Sequence, residues 1–253
     1  MSAGSIPPAP RDGRRLYWIV MVGIGLYAVL DVVAQLLPPH YSPVTQAESD
    51  LAVGPYGYVM TVNFVNRGVL SLVFLYALVR TVRSEARGWR PFRSGVAFLS
   101  LWALGSVVLA VFPTDVPSLP LTAHGAVHLV VALLAFFGGA VGVFALADHF
   151  GESEILRPAK RYGMGLSIVV LILFVLELGL GFVAPRFGAS VAGLTERLFL
   201  GSVLGWIFLV SWYLARPPEP RSPPAAGTAP TGTSAAPPNE GSGGGIGSPE
   251  AGP

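Results

Sequence analysis

The sequence predicts an all-α membrane protein, a bundle of six transmembrane helices with both termini in the cytoplasm. Three observations support this prediction. Of the 253 residues, 52% are hydrophobic and only 12% are charged, whereas a soluble domain carries about 25% charged residues. Six apolar segments reach the roughly 20 residues that a helix needs to cross a bilayer. Arginines concentrate in alternate connections between these segments.

The six apolar segments define a predicted membrane domain over residues 16–215. Because no water is available in the hydrocarbon, each segment must be helical to satisfy its own backbone hydrogen bonds. The predicted spans are Leu16–Leu37, Tyr56–Val79, Ser94–Phe112, His124–Ala147, Tyr162–Val183 and Leu194–Ala215. The chain contains no cysteine, which excludes disulfides, thiolate metal sites and a cysteine nucleophile.

Basic residues set the predicted orientation. The N-terminal segment 1–15 and the second and fourth connections are rich in arginine, whereas the first and third connections contain no Lys or Arg. Positive residues favour the cytoplasmic side of a membrane. We therefore expect a multi-pass protein of the cell membrane whose odd-numbered connections face outward.

The last part of the chain, 216–253, differs in composition from the rest. Pro, Gly, Ala, Ser and Thr dominate it, so it has almost nothing to bury. It is predicted to be a disordered cytoplasmic tail. The basic residues form no patch interleaved with aromatic residues, which argues against nucleic acid as a partner and leaves membrane lipid as the expected one.

Polar side chains within the predicted spans gather toward the outer face. Charges inside a bilayer are costly, so they line a cavity or face a partner. These side chains predict an outward-facing site that binds a small polar ligand or a lipid head group. The candidate ligand-binding residues are Asp31, Asn63, Asn66, Arg67, Glu177, Glu196 and Arg197.

Arg67 is the deepest of these charges and is expected to have a carboxylate partner. The first choice is Asp31 and the second is Glu177, which lie at matching depths of about 9 Å in their spans. Offsets of three and four also place Arg67 on one helical face with Asn63 and Asn66. An alternative function is proton-coupled transport, with the arginine and the two carboxylates as a relay.

A histidine pair indicates a further alternative, metal-assisted hydrolysis of a lipid at the outer leaflet. His124 and His128 stand one helical turn apart, a spacing at which one metal ion can bridge two imidazoles. Asp115 is a candidate third ligand or catalytic base, Ser49 is a candidate nucleophile, and the candidate cofactor is a divalent metal such as zinc. The competing interpretation is structural: the histidines bond loop groups, and Asp115 caps the next turn.

Two pairs of glycines, Gly138/Gly142 and Gly201/Gly205, have the spacing that allows helices to approach closely. Packing within the bundle is the first expectation for both pairs. A dimer interface is the alternative.

The order of the motifs resembles a known family. An acidic, Ser-rich connection (42–51) precedes the segment NFVNRG (63–68), FPTD (112–115) precedes HGAVH (124–128), and GLTER (193–197) begins the last span. This order is similar to that of the six-helix prokaryotic membrane proteins of the domain-of-unknown-function family nine-nine-eight. The resemblance covers 16–215 and implies an integral membrane protein without an established activity. More distantly, Asp115 and the HxxxH pair resemble the metal site of the alkaline ceramidases, which implies lipid hydrolysis.

Overall fold

A computed structural model describes residues 11–82, 90–116, 119–183 and 185–216. Its regular structure is helical, and these ranges contain no strand. All six long helices are apolar and long enough to cross a membrane, which confirms the predicted fold. Their bounds are α1 Arg11–Leu36, α2 Gly57–Val82, α3 Arg90–Leu109, α4 Ala123–His149, α5 Lys160–Val183 and α6 Pro185–Ala215. The membrane in which they lie and the side on which each terminus lies stay predictions.

The helix limits differ most from the predicted spans at α6, which begins at Pro185 rather than at Leu194. Proline is favoured in the first turn of a helix, where its missing N–H is not needed. A search for apolar spans cannot detect helical turns that precede the apolar residues. Residues 217–253 of the predicted tail (216–253) and residues 1–10 of the N-terminal segment lie outside the described residues.

The helices pack in a ring in which each contacts its neighbours in sequence and α1 also contacts α6. Two tryptophans are fully buried in this ring and are fixed by hydrogen bonds. Trp102 of α3 donates to Ser71 Oγ of α2 at 3.2 Å, and Trp206 of α6 donates to the Gly163 carbonyl of α5 at 3.0 Å. These bonds set the register between neighbouring helices deep in the bundle.

The two glycine pairs behave differently. A Cβ at Gly138 would lie 2.6 Å from the Phe98 carbonyl oxygen, and one at Gly142 would lie 2.6 Å from the backbone nitrogen of Leu99. The expectation of close packing within the bundle is therefore confirmed for this pair, which seats α4 against α3. A Cβ at Gly201 or Gly205 would meet nothing within 4 Å, so the same expectation is wrong for the second pair.

The first connection, residues 37–56, packs against the start of α6. It contains a short 3-10 helix, Glu48–Ala52. The backbone N–H of Leu194 donates to the Val44 carbonyl at 3.0 Å, and a Cβ at Gly193 would lie 2.1 Å from the Gln46 carbonyl oxygen. Only glycine permits this approach of two backbones. We call this end of the bundle the loop-1 end; it also holds the end of α1 and the start of α2.

Candidate functional site

Charged side chains from three helices and the first connection meet at the loop-1 end. We call this group the charged cluster. Its members interact through hydrogen bonds, through one ion-pair contact and through the charges of its two guanidinium groups. Its members are Tyr27 and Asp31 of α1, Glu48 of the first connection, Asn63 and Arg67 of α2, and Glu196 and Arg197 of α6.

Glu48 lies at the centre of the charged cluster and is only 1% exposed. The Tyr27 hydroxyl lies 2.6 and 2.7 Å from its two carboxylate oxygens and donates to them. The backbone N–H of Glu48 donates to Glu196 Oε2 at 2.7 Å. A buried carboxyl group requires such partners because burial removes its hydration. Glu48 therefore couples the first connection to both α1 and α6.

The electrostatic environment of Glu48 has opposing contributions. Burial raises the pKa of its carboxyl group above the ordinary value, the positive charge of Arg67 opposes that shift, and the neighbouring Asp31 carboxylate adds to it. The charge of Arg197 also opposes it. Glu48 consequently takes up a proton at a higher pH than an exposed glutamate does.

Arg67 is 2% exposed, and its predicted ion pair is not formed. Its Nε donates to Ser106 Oγ of α3 at 3.0 Å, and its guanidinium carbon lies 5.1 Å from the Phe64 ring centroid and 5.0 Å from that of Trp102. Among the described residues, no carboxylate lies within 4.0 Å of it, so the direct pair expected with Asp31 or Glu177 is wrong. Aromatic faces stabilise the cation instead.

Arg197 fastens the first connection to α6. Its Nη1 donates to the carbonyls of Pro43 and Gln46, each at 3.1 Å, and to the Gly193 carbonyl of its own helix at 3.0 Å. Its Nη2 lies 3.9 Å from Asp31 Oδ1, which is the ion-pair contact of the charged cluster. Three carbonyls converging on one guanidinium form a charge-assisted clamp.

Tyr41 completes this clamp. Its hydroxyl accepts from Arg197 Nη2 and donates to the Ala47 carbonyl at 2.7 Å. Burial raises the pKa of Tyr41 to about 12, although the hydrogen bond from Arg197 opposes the shift. The phenol therefore stays neutral at physiological pH and keeps the proton that it donates.

The two asparagines of α2 bind the backbone of α1. Asn63 Nδ2 donates to the Tyr27 carbonyl at 3.2 Å, and Asn66 Nδ2 donates to the Gly23 carbonyl at 2.9 Å. The face predicted to be shared with Arg67 is therefore divided, since the arginine reaches α3 while both amides reach α1. Asn66 has a structural contact outside the charged cluster, whereas Asn63 belongs to the cluster.

Several buried polar atoms at this end have no hydrogen-bond partner among the described residues. Three are acceptors and one is a donor. Glu177 of α5 lies beside Thr195 of α6, which brings it to the edge of the cluster. An unpaired buried polar atom costs about 1–3 kcal/mol, so a group of them marks a place where a ligand can contribute bonds. The four atoms are Asp31 Oδ1, Asn63 Oδ1, Glu177 Oε2 and Arg197 Nε.

The histidine pair forms contacts of a structural kind. His128 Nδ1 donates to the Phe112 carbonyl at 2.7 Å, and the His124 ring lies 5.4 Å from the Phe112 ring between centroids. Asp115 accepts from the Thr122 N–H at 2.8 Å and from the Thr122 hydroxyl at 2.7 Å. These two bonds hold the pKa of Asp115 below its usual value. Thr122 in turn caps α4 by accepting from the Gly125 N–H.

The proposed metal ligands and nucleophile have no supporting arrangement. Within the ranges that the structure describes, no group of three His, Cys, Asp or Glu side chains could hold a metal ion. Ser49 is half-buried in the 3-10 helix and has no hydrogen bond to either histidine. Catalysis by Asp115 or Ser49 and metal binding by His124 and His128 stay predictions.

A family model described as "Protein of unknown function (DUF998)" matches residues 21–213. The chain belongs to the DUF998 family. The matched segment covers α2 to α5 completely and most of α1 and α6. No curated protein and no solved structure matches this DUF998 chain.

Three residues of this candidate site are not among the residues predicted from sequence: Tyr27, Tyr41 and Glu48. A signal for Glu48 was present, because the first connection is rich in acids and hydroxyls for its length. Tyr27 stands one helical turn before Asp31 and so shares its face. Side chains that reach a site from a connection are missed by a search confined to the spans.

A substitution at Gly125 of this DUF998 protein tests whether the segment HGAVH (124–128) packs against Asp115. A Cβ at Gly125 would lie 1.9 Å from Asp115 Oδ2, so Gly125→Ala is expected to lower the free energy of unfolding by about 1–3 kcal/mol through overpacking. Thermal unfolding in detergent measures the loss. The same substitution placed in an Asp115→Ala background should cost much less, because the obstructing carboxylate is gone. Equal losses in the two backgrounds would contradict the contact.

Proposed function

We propose that this membrane protein binds a protonated amine, carried by a small polar molecule or a lipid head group, in the charged cluster. The observation that carries the proposal is the excess of unpaired buried acceptors at the loop-1 end. Among the described residues, Asp31 Oδ1, Asn63 Oδ1 and Glu177 Oε2 have no hydrogen-bond donor, and Arg197 Nε is the one unpaired donor at this end. An ammonium group offers three N–H donors and a positive charge, which is the chemistry that these oxygens lack.

The acceptors of α1 and α2 are neighbours. Asn63 donates to the Tyr27 carbonyl, and in a helix that carbonyl also accepts from the N–H four residues later, which is that of Asp31. The Asn63 amide is therefore held against the turn of α1 that carries the Asp31 carboxylate. An ammonium group between these two side chains would meet oxygens from two helices.

Charge balance supports a cationic ligand. Among the described residues of the charged cluster and its edge, the four carboxyl groups of Asp31, Glu48, Glu177 and Glu196 accompany the two guanidinium groups of Arg67 and Arg197. Full ionisation would leave two uncompensated negative charges at a buried site. Such a site is stable only when protons or another cation supply the balance.

The alternatives are less well supported by these contacts. Hydrolysis requires a metal or a nucleophile beside a base, and the histidine contacts described above engage the connection between α3 and α4 instead. A relay through Asp31, Arg67 and Glu177 requires transfer between groups that do not contact each other. Binding requires only the unpaired donors and acceptors already present.

Asp31→Asn is the most direct test of amine binding. The amide keeps the size of the side chain and its contact with Gln35, whose Nε2 donates to Asp31 Oδ2 at 2.6 Å, but it removes the negative charge. Ethanolamine is expected to raise the unfolding temperature of the wild type, with about 2.7 kcal/mol of stabilisation at 100 times the Kd. Asp31→Asn should weaken binding by at least about tenfold, equivalent to about 1.4 kcal/mol.

The matched control is Asp148→Asn, which changes an exposed carboxylate at the opposite end of α4. Nanodiscs of phosphatidylethanolamine and of phosphatidylcholine identify the source of the amine, because the choline head group has no N–H donors. Stabilisation by phosphatidylethanolamine alone assigns a lipid, and stabilisation by free ethanolamine assigns a soluble amine. If neither probe stabilises the wild type, or if both act equally on Asp31→Asn, the proposal fails.

The affinity for the amine should depend on pH with a defined sign. Burial raises the pKa of Glu48, so its carboxyl group gains a proton at a higher pH than an exposed glutamate does. Protonation removes negative charge beside Tyr27, Asp31, Arg67, Glu196 and Arg197, the groups that face it. Amine binding should therefore strengthen as the pH rises through the pKa of Glu48 and weaken as the pH falls, a trend that titration calorimetry at several pH values would measure.

A further inference from the structure

An apolar groove lies between α5 and α6, outside the charged cluster. Its volume is about 350 Å³. The lining residues are Leu166 of α5 and Gly205, Phe208, Leu209 and Trp212 of α6. From Gly205 to Trp212 the helical rise gives it a length of about 10 Å along α6. Its walls are apolar, and it lies on two membrane-spanning helices, so its occupant must be apolar over this length.

The groove exists because of Gly205. A Cβ at this position would meet nothing within 4 Å, in contrast to the tightly packed Gly138 and Gly142. The glycine leaves a trough in the surface of α6 that no other described side chain fills. One helical turn earlier, Gly201 is equally open but does not line the groove.

One end of the groove carries a positive charge on an aromatic wall. Phe208 and Trp212 stack at 6.4 Å between ring centroids with an angle of 11° between their planes. The guanidinium carbon of Arg216, one turn further on, lies 5.0 Å from the Trp212 ring centroid. Trp18 of α1 meets the same indole edge-on at 6.3 Å. Aromatic residues of this kind mark the level of the lipid head groups.

Other cations lie at this end of the bundle. The first turn of α5 adds Arg161, and α1 adds Arg14 and Arg15 near its start, whereas the Lys160 ammonium lies against Gly151 of the connection between α4 and α5. The acids described near this end, Asp148, Glu152 and Glu154, lie on the end of α4 and its connection to α5 instead. The charged end of the groove is therefore complementary to a negative head group.

We propose that this groove is a binding site for an anionic phospholipid, with an acyl chain along Gly205 and the phosphate head group at Arg216. The chain fills the space that the missing Cβ leaves, and the aromatic wall of Phe208 and Trp212 packs against it. Arg216 is exposed and reaches the phosphate while it remains stacked on Trp212. This site is separate from the charged cluster and does not depend on amine binding there.

The test measures lipid retained by the full chain released from nanodiscs that contain equal amounts of phosphatidylglycerol and phosphatidylcholine, using native mass spectrometry. The wild type should retain phosphatidylglycerol at least about fivefold over phosphatidylcholine. Gly205→Leu fills the trough and should remove most of the retained lipid. Arg216→Gln keeps the trough and should abolish the preference while it leaves some lipid bound.

Two matched variants serve as controls. Gly201→Leu makes the same change one turn away from the groove, and Arg80→Gln removes another arginine that stacks on an aromatic ring, that of Tyr76 at 5.6 Å. Both should keep the wild-type preference. Equal retention of the two lipids by the wild type, or equal losses in Gly201→Leu and Gly205→Leu, would overturn the proposal. A lipid-free dimer that Gly205→Leu dissociates would assign the groove to a second copy of the chain and would overturn it as well.

Discussion

Replacing Arg197 by alanine is expected to release the first connection from α6 and to lower the free energy of unfolding by about 3 kcal/mol. The change removes the bonds to the Pro43 and Gln46 carbonyls, the bond to Tyr41 and the contact with Asp31. Three loop groups would then lose a charged donor at once. Thermal unfolding in detergent measures the loss, and limited proteolysis within residues 41–47 measures the release.

Two further variants separate the geometry of this clamp from its charge. Arg197→Lys keeps the charge, but one ammonium group cannot reproduce the planar fork of a guanidinium, so it should recover less than half of the lost stability. Arg80→Ala removes an arginine at the opposite end of the bundle and should leave the cleavage pattern unchanged. Protection of residues 41–47 that persists in Arg197→Ala would show that the Gly193 and Leu194 backbone contacts suffice alone.

Replacing Arg67 by leucine is expected to cost about 3–5 kcal/mol of unfolding free energy, the range typical when one member of a buried charge group is removed. Leucine retains part of the packing between Phe64 and Trp102 but supplies no charge. The positive field that favours ionised Glu48 is lost, together with the hydrogen bond to Ser106. Unfolding in a graded denaturing detergent measures the difference from the wild type.

A double-mutant cycle tests whether Arg67 acts on Glu48 without touching it. If the field of Arg67 stabilises the Glu48 carboxylate, Arg67→Leu should cost less in a Glu48→Gln background, with a coupling energy of about 0.5–3 kcal/mol. Asp148→Asn serves as the distant partner and should show additive losses. Additive losses with Glu48→Gln would mean that the two groups do not interact, and the role of Arg67 would then be limited to α2–α3 packing.

The sequence was sufficient to predict the six-helix fold and the end of the bundle at which polar side chains lie. Both depend on the cost of placing polar groups in hydrocarbon. The sequence was insufficient for the partner of Arg67. That argument compared depths within spans, so it considered Asp31 and Glu177. The Glu48 carboxylate, for which the charge of Arg67 is the largest stabilising contribution, enters from a connection. Its position depends on contacts with α6, about 150 residues later in the chain.

Spacing alone also failed to distinguish alternatives that share the same pattern. Gly138/Gly142 and Gly201/Gly205 have identical spacing, yet only the first pair faces another helix closely. In the same way, the spacing of His124 and His128 is compatible with binding a metal ion. It is equally compatible with contacts to the connection between α3 and α4. What favours the second arrangement is the Phe112 carbonyl at 2.7 Å from the His128 ring, a neighbour that sequence spacing does not specify.

The contact between the first connection and α6 also has a consequence for biogenesis. Glu48 finds Glu196 and Arg197 only after 148 further residues have been made, which takes on the order of 10 s at ordinary rates of translation. During that interval its loop has no clamp, although α1 and α2 can already be inserted. The first connection is therefore held in place only once α6 has been synthesised and has packed against it. Until then the connection would be accessible to membrane proteases, which could distinguish unfinished chains from finished ones.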